Sequence, residues 1–92
     1  MEKIKVEDID YVLEKDINDC FNKEEFLNLV TDYFYDYDYI LGDYAYDKLR
    51  LKGFCDKGNE KFSEINDINN LDEYVENYCS YKASYYLLKK VK

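Results

Sequence analysis

The 92-residue sequence contains no histidine, proline or tryptophan, and only three glycines and three cysteines. Without histidine there is no Ser-His or Cys-His nucleophile pair and no His-ligated metal. The glycines, at positions 42, 53 and 58, form neither a Walker A loop nor a dinucleotide-binding fingerprint. The cysteines, at positions 20, 55 and 79, are scattered and form no Cys-x-x-Cys arrangement, so they predict no structural zinc site. We therefore expect no cofactor, no metal and no catalytic activity.

Acidic residues are abundant, but their spacing specifies no site. Asp36 and Asp38 resemble the opening of a calcium-binding loop, yet Ile40 occupies the next ligand position. Asp43 and Asp47 flank two tyrosines and could in principle perform acid–base chemistry. Surface acids around a hairpin turn are the simpler interpretation of this pair.

Length and composition indicate one small domain spanning residues 1–92. The first ten residues, MEKIKVEDID, contain no apolar stretch of the kind found in signal peptides. No segment approaches the ~20 apolar residues of a membrane span. We expect a cytoplasmic protein with reduced thiols, in which Cys55 and Cys79 act as small hydrophobic residues. The net charge of −8 is unevenly placed, with most acids in residues 1–47 and most bases in residues 48–92.

The first third of the chain predicts two short strands and a helix. Alternation in KIKVED and DYVLEK (residues 3–8 and 10–15) fits two strands with a turn near Glu7, although a short helix over residues 6–14 would also group the apolar side chains. Asn22 followed by Glu25 is typical of a helix N-terminus. The apolar face of this helix, predicted to end near residue 35, is formed by Phe26, Leu29, Val30, Tyr33 and Phe34.

The middle of the chain predicts a hairpin. From residue 37 a period of two places Tyr37, Tyr39 and Leu41 on one face of a strand, and Asp38 and Ile40 on the other. Gly42-Asp43 is predicted to form a bulge or turn. The following KLRLKGFC alternates leucines with the basic residues Lys48, Arg50 and Lys52. An acidic strand opposite a basic one gains about 0.2–1 kcal/mol for each cross-strand pair.

The last third predicts a second helix and a final strand. Residues 56–62 indicate a turn, and residues 61–65 a possible short strand. Asn70 followed by Glu73 begins a helix predicted to end near residue 80, with Leu71, Tyr74, Val75, Tyr78 and Cys79 on one face. ASYYLLKKV is apolar on both sides and predicts a strand that is either central or adjacent to a covered face. The order β-β-α-β-β-(β)-α-β indicates an α+β domain, with two amphipathic helices packed on a mainly antiparallel sheet.

Three segments of the sequence have the pattern of a known family: YDYILGDYAYDKLRLKGF (37–54), LDEYVENYC (71–79) and YYLLKK (85–90). Together they resemble the YutD-like family, small cytosolic proteins, mostly of Firmicutes and their relatives, long carried as a domain of unknown function. The likeness extends from about residue 20 to the C-terminus, and its central motif is matched by Gly42, Asp43, Tyr46, Leu49, Arg50, Leu51, Lys52, Gly53 and Phe54. Tyr44 stands where the family has tryptophan, and Ala45 and Asp47 stand where it has glycine. The resemblance implies no catalytic residue and no cofactor.

The best candidate for a functional surface is the basic strand with its neighbouring tyrosines. Arg50 is the only arginine in the sequence, and arginine is suited to bidentate contacts with phosphate or carboxylate. The full candidate surface comprises Asp43, Tyr44, Tyr46, Lys48, Arg50 and Lys52. A simpler interpretation is that the basic residues only pair with acidic residues across the hairpin.

Two functions remain open for this surface. The first is a non-catalytic binding or adaptor module that contacts a protein partner, since exposed tyrosine and arginine are favoured at interaction hot spots. The second is association with RNA, either by stacking and charge neutralisation on the basic strand, or by mimicry of nucleic-acid charge with the acidic half of the chain. We expect neither a membrane nor a small-molecule cofactor as a partner.

Overall fold

The computed structural model describes residues 2–45, 48–78 and 84–91, with residues 45 and 78 described by their backbone alone. Within these residues, five strands form one sheet: β1 (Lys3–Val6), β2 (Ile9–Ile17), β3 (Tyr39–Ala45), β4 (Lys48–Phe54) and β5 (Tyr85–Lys90). Their spatial order is β1-β2-β5-β3-β4, and every neighbouring pair is antiparallel. With helices α1 (Lys23–Leu29) and α2 (Leu71–Tyr78), the chain has the predicted α+β fold.

The N-terminal hairpin forms as two strands rather than as the alternative helix over residues 6–14. Val6 pairs with Ile9 across a tight turn, in which Glu7 adopts a φ of 55°. Alternate residues of β1, Ile4 and Val6, are buried while the lysines between them are exposed. The apolar residues here therefore follow the alternating pattern of strands and not the spacing of a helix, because the hairpin buries one complete face of its strands.

Helix α1 begins as predicted and ends earlier than predicted. The Asn22 side chain accepts a hydrogen bond from the Glu25 backbone N–H at 3.0 Å. The helix ends at Leu29, and Val30 is extended with a ψ of 139°. Consecutive β-branched residues at 30 and 31 favour this exit from the helix. Of the predicted apolar face, Phe26 is buried, whereas Leu29 is 42% exposed and Tyr33 is 65% exposed.

The bulge or turn predicted at Gly42-Asp43 is wrong, because both residues lie inside β3. Gly42 pairs with Leu51 on one side and with Tyr86 on the other, so the strand continues without interruption to Ala45. The glycine is required by packing rather than by a turn, since a Cβ atom placed there would lie 2.3 Å from Cζ of Tyr86. The β3–β4 hairpin itself is confirmed by seven consecutive pairs, from Tyr39–Phe54 to Ala45–Lys48.

Strand β5 is central, which is one of the two placements that its apolar faces predicted. It lies between β2 and β3, and its side chains alternate between two buried clusters. Tyr86 and Leu88 pack with Phe26 of α1, while Leu87 packs with Leu71 of α2. The two helices therefore cover opposite faces of the sheet.

The segment between β4 and β5 differs from the prediction at one point. The turn over residues 56–62 is present, but residues 61–65 do not form a strand. A short 3₁₀ turn, Glu64–Asn66, forms instead, because Ser63 and Asn66 make a reciprocal capping box. Helix α2 begins at residue 71 as predicted, and Tyr74 and Val75 pack against the sheet. The predicted C-terminal end of this helix, residues 79 and 80, lies outside the described residues.

Two tyrosine hydroxyls, of Tyr11 and Tyr86, are buried without a hydrogen-bond partner in the described part of the chain. Burial raises the pKa of Tyr11 to about 12 and also raises the pKa of Tyr86 well above its usual value. An unsatisfied buried hydroxyl is destabilising, so Tyr86→Phe is expected to increase the free energy of unfolding at neutral pH by about 1 kcal/mol. Urea denaturation of the two proteins measures this difference.

The same two tyrosines predict a pH dependence. Their pKa values are higher in the folded state than in the unfolded chain, so the folded protein retains protons that the unfolded chain releases. The loss of stability that arises from these two hydroxyls is therefore absent below pH 10 and grows as the pH rises above that value. A Tyr11→Phe/Tyr86→Phe double variant should lose less stability between pH 9 and pH 11 than the wild type. Equal losses in the two proteins would contradict this explanation.

Candidate functional site

The basic side chains of β4 share one face, as the alternation predicted. Lys48, Arg50 and Lys52 alternate with Leu49 and Leu51, and the two leucines pack against the buried cluster beneath α1. We call the three basic side chains the β4 basic face. It lies on the same side of the sheet as α2, at the edge opposite β1.

Arg50 is held in place by a carboxylate across the hairpin. Its Nη2 donates to Oδ2 of Asp43 at 2.5 Å, and its Nε donates to Oδ1 at 3.3 Å. The Asp43 side chain is only 5% exposed, whereas that of Arg50 is 49% exposed. The guanidinium group is thus held by a buried acid, while the Arg50 side chain as a whole is half exposed. This cross-strand pair is the one that the simpler interpretation of the sequence anticipated.

Lys52 is also positioned by its neighbours. Its Nζ lies 5.5 Å from the ring centroid of Phe54 and 5.4 Å from that of Tyr74 in α2. Cation–π contacts of this length are weak at an exposed site but limit the directions that the side chain takes. Lys48, at the other end of the face, is exposed.

Tyr44 does not join the β4 basic face, because it points to the opposite side of the sheet. Its hydroxyl donates to Oε1 of Glu25 in α1 and lies 3.3 Å from the Cys20 carbonyl oxygen. Burial and this hydrogen bond to a carboxylate raise the pKa of Tyr44 far above its usual value. Tyr44 therefore connects β3 to the start of α1. The other predicted tyrosine, Tyr46, lies outside the described residues, as does Asp47.

The cysteines described by the structure have the properties of structural residues. Cys55 is fully buried, as predicted, and burial raises the pKa of its thiol. Burial, reinforced by the nearby Asp16 carboxylate, raises the pKa of Cys20 to about 11. A raised pKa disfavours the thiolate that a nucleophile or metal ligand requires. Cys79 lies outside the described residues.

A buried carboxylate that the sequence did not single out as structural is Asp38. It accepts hydrogen bonds from the Asp56 backbone N–H at 2.9 Å and from Nδ2 of Asn59 at 3.1 Å. Asn59 also donates to the Asp36 carbonyl oxygen at 2.8 Å. Asp38 therefore ties the turn after β4 to the start of β3. Within the described ranges, no group of three His, Cys, Asp or Glu side chains is arranged to hold a metal ion.

Two surface grooves meet beside the C-terminal half of β4, one on each face of the sheet. The larger, of about 460 Å³, lies between β4 and α2 and is lined in part by Lys52, Phe54 and Tyr74. The smaller, of about 190 Å³, lies on the other face and includes Leu51. Ile65 lines both grooves and is 77% exposed. Sequence reasoning missed Ile65, because the segment that holds it was assigned to a strand.

Neither described helix has the length and apolar character that crossing a lipid bilayer requires.

Comparisons with known proteins identify relatives along almost the whole chain. The family described as "Putative antitoxin YutD-like" matches residues 5–89, and so extends further toward the N-terminus than the resemblance in the sequence indicated. A curated relative from Bacillus subtilis (strain 168), named "Putative antitoxin YutD", is 38% identical over 89 residues, which cover 97% of this chain and 98% of the relative. The solution NMR structure of protein yutD from B. subtilis matches with a TM-score of 0.83 at 37% identity, covering 100% of this chain and 84% of that one. The chain belongs to the YutD-like family.

Proposed function

We propose that the protein is a non-catalytic cytoplasmic binding module that contacts a protein partner through the β4 basic face. The observation that supports this most strongly is the arrangement of Arg50, whose side chain is half exposed and whose guanidinium group is oriented by the buried Asp43 carboxylate. The name of the B. subtilis relative adds support, because an antitoxin counteracts a toxin. Such a role requires recognition of another molecule and does not require catalysis.

Preorganisation is the physical reason for assigning binding to this face. Ordering a flexible side chain on association costs about 0.5–1.5 kcal/mol, and a side chain that is already ordered avoids that loss. Arginine is also among the residues enriched at binding hot spots. Lys52 is likewise restrained by two aromatic rings. The β4 basic face therefore presents two cations in defined positions to an incoming surface.

Charge indicates the kind of surface that fits. The protein has a net charge of −8, and the β4 basic face is a local exception to it. A positive patch on an acidic protein steers a partner whose own contact surface is acidic, and it disfavours other orientations. We therefore propose an acidic protein surface as the binding partner.

The same contacts give less support to RNA. Tyr44, which a stacking platform would use, lies on the other side of the sheet. The net charge of −8 adds general repulsion toward a polyanion.

The proposal predicts the effect of reversing charge at the two ends of the β4 basic face. Lys48→Glu with Lys52→Glu leaves the Asp43–Arg50 pair intact and should weaken binding of the partner at least about tenfold, or ~1.4 kcal/mol. Tagged protein purified from its native cells identifies the partner by mass spectrometry, and calorimetry with the isolated partner then measures the affinity.

A matched control uses the opposite edge of the sheet. Lys3 and Lys5 are exposed on β1, two residues apart rather than four, and Lys3→Glu with Lys5→Glu makes the same change in net charge. This pair should leave the affinity within about twofold of the wild type, because rim charges far from a contact act only through screened fields. An equal loss in both double variants would show that net charge alone matters. Recovery of ribonuclease-sensitive material in place of a protein would favour the RNA alternative.

A further inference from the structure

Strand β4 is an edge of the sheet, and its outward backbone groups can be identified. The Cys55 N–H donates to the Asn66 carbonyl oxygen at 2.8 Å, and the Cys55 carbonyl oxygen accepts from the Ile68 N–H at 3.0 Å. The backbone N–H and C=O groups of Cys55 therefore point away from β3. Because the direction alternates along an antiparallel strand, those of Leu49, Leu51 and Gly53 do the same.

The outer edge of β4 is already used by the chain at one end. Residues Asn66–Ile68 pair with Cys55 in a parallel bridge, immediately beyond the C-terminal end of the strand. In the described part of the chain, no strand lies outside β4 along Lys48–Lys52. The backbone groups of Leu49 and Leu51 are thus placed to pair with an incoming strand. Such a strand would end near exposed Ile65, next to the residues that already pair with Cys55.

The side chains on the two faces of this edge determine which residue pattern an incoming strand should have. On one face Lys48 and Lys52 flank the Arg50–Asp43 pair, and acidic side chains opposite them would gain favourable cross-strand contacts. On the other face Leu49 and Leu51 are half-buried, so apolar side chains opposite them would complete their burial. The complementary segment therefore alternates acidic and apolar residues.

A second copy of this chain does not fit the same edge. Pairing two β4 strands would place lysine and arginine side chains of both copies on one face of the joint sheet. Like charges opposite one another destabilise a strand pair, and lysines on an edge strand are a common device against self-association. The basic edge thus discriminates between a copy of itself and an acidic strand.

We propose that the outer edge of β4 binds an extended segment of the partner protein, with alternating acidic and apolar residues, by addition of a sixth strand to the sheet. The proposal rests on the function proposed above and specifies its binding mode. Backbone pairing at Leu49 and Leu51 would supply affinity, while the charge pattern and the apolar face would supply specificity.

The test uses a synthetic peptide, acetyl-Glu-Val-Glu-Val-Glu-Val-Glu-amide, titrated into the full-length ¹⁵N-labelled protein. We expect the amide resonances of Leu49 and Leu51 in the protein to shift when the peptide is added. Amide exchange at these two residues should also slow at least about tenfold, as occurs when exposed amides become hydrogen-bonded. The Lys48→Glu/Lys52→Glu variant and a peptide with lysine in place of glutamate should both bind at least about tenfold more weakly.

Two N-methylated peptides separate strand addition from simple charge attraction. Methylation of the valine amides blocks antiparallel pairing, and methylation of the glutamate amides blocks parallel pairing, because the two ladders use different peptide residues. Strand addition predicts that one methylated peptide loses binding and the other retains it. Three results would each overturn the proposal. They are equal binding of the two methylated peptides, amide resonance shifts only outside β4, and no resonance shift at peptide concentrations of about 1 mM.

The outcomes also distinguish the binding mode from the proposed function. If the peptides fail but the isolated partner binds and is sensitive to Lys48→Glu/Lys52→Glu, the protein-binding function stands and strand addition is wrong. If the peptides bind as expected but no protein partner is recovered from native cells, the edge accepts a strand and the proposed function is wrong.

Discussion

Gly42→Ala is expected to lower the free energy of unfolding by about 3 kcal/mol, at the upper end of the usual range for overpacking. A Cβ atom at this position would lie 2.3, 2.5 and 2.6 Å from Cζ, Cε1 and the hydroxyl oxygen of Tyr86. Tyr86 cannot move aside easily, because it is fully buried and packs edge-on against Phe21 and Phe26. Nor can β3, which is paired on both sides. Urea denaturation with a two-state fit measures the loss.

Gly58→Ala is the matched control for this substitution. Among the described residues, none apart from the two chain neighbours has an atom within 4 Å of a Cβ atom built at Gly58, and the φ of Gly58 is not positive. The control should change stability by no more than about 0.5 kcal/mol. Shortening the clashing side chain should also relieve the effect, so Gly42→Ala should be much less damaging in a Tyr86→Leu background than in the wild type. Equal losses in the two backgrounds would show that Tyr86 is not the cause.

Arg50→Ala is expected to destabilise the protein by about 2 kcal/mol, and Asp43→Ala by about half as much. The difference follows from burial. Removing Arg50 leaves the Asp43 side chain, which is 5% exposed, without its bidentate partner, whereas removing Asp43 leaves the Arg50 side chain, which is 49% exposed and can be hydrated. The double variant should have about the same free energy of unfolding as Asp43→Ala alone. The buried carboxylate that is left without a partner in Arg50→Ala is absent from the double variant. Chemical denaturation of the four proteins completes the double-mutant cycle.

Lys48→Ala controls for the loss of a basic side chain from the same strand face. It should alter stability by at most about 0.5 kcal/mol, as is usual for exposed residues. If Arg50→Ala and Lys48→Ala had the same small effect, the Asp43–Arg50 contact would be an ordinary surface ion pair. Arg50 would then not be a preorganised group, and the main support for the binding proposal would be lost.

The parts of the fold that sequence predicted correctly depend on local patterns. The period of two in β4 placed Lys48 and Arg50 on one face because a strand has no other way to orient successive side chains. The Asn22 cap was recognised because it acts within three residues of itself. Strand β5 was predicted to be central or adjacent to a covered face because neither of its faces is polar. In each case the determining contacts lie within one element.

The features that sequence did not predict depend on contacts between distant residues. Gly42 appeared to mark a turn, and only the packing of Tyr86 shows why a strand needs glycine there. The misplaced turn also grouped Tyr44 with the basic residues, whereas an uninterrupted strand directs it toward α1. That β4 is an edge strand follows from the position of β5 between β2 and β3, which is a property of the whole sheet. The binding site proposed for this edge therefore required the structure.

Amide hydrogen–deuterium exchange of the protein, alone and in complex with its isolated partner, tests most directly whether β4 is the contact surface. The account predicts that exchange slows along residues 48–54 on binding, while exchange along β1, at the other edge of the sheet, stays unchanged. Slower exchange along β1 or α1, with β4 unaffected, would contradict it.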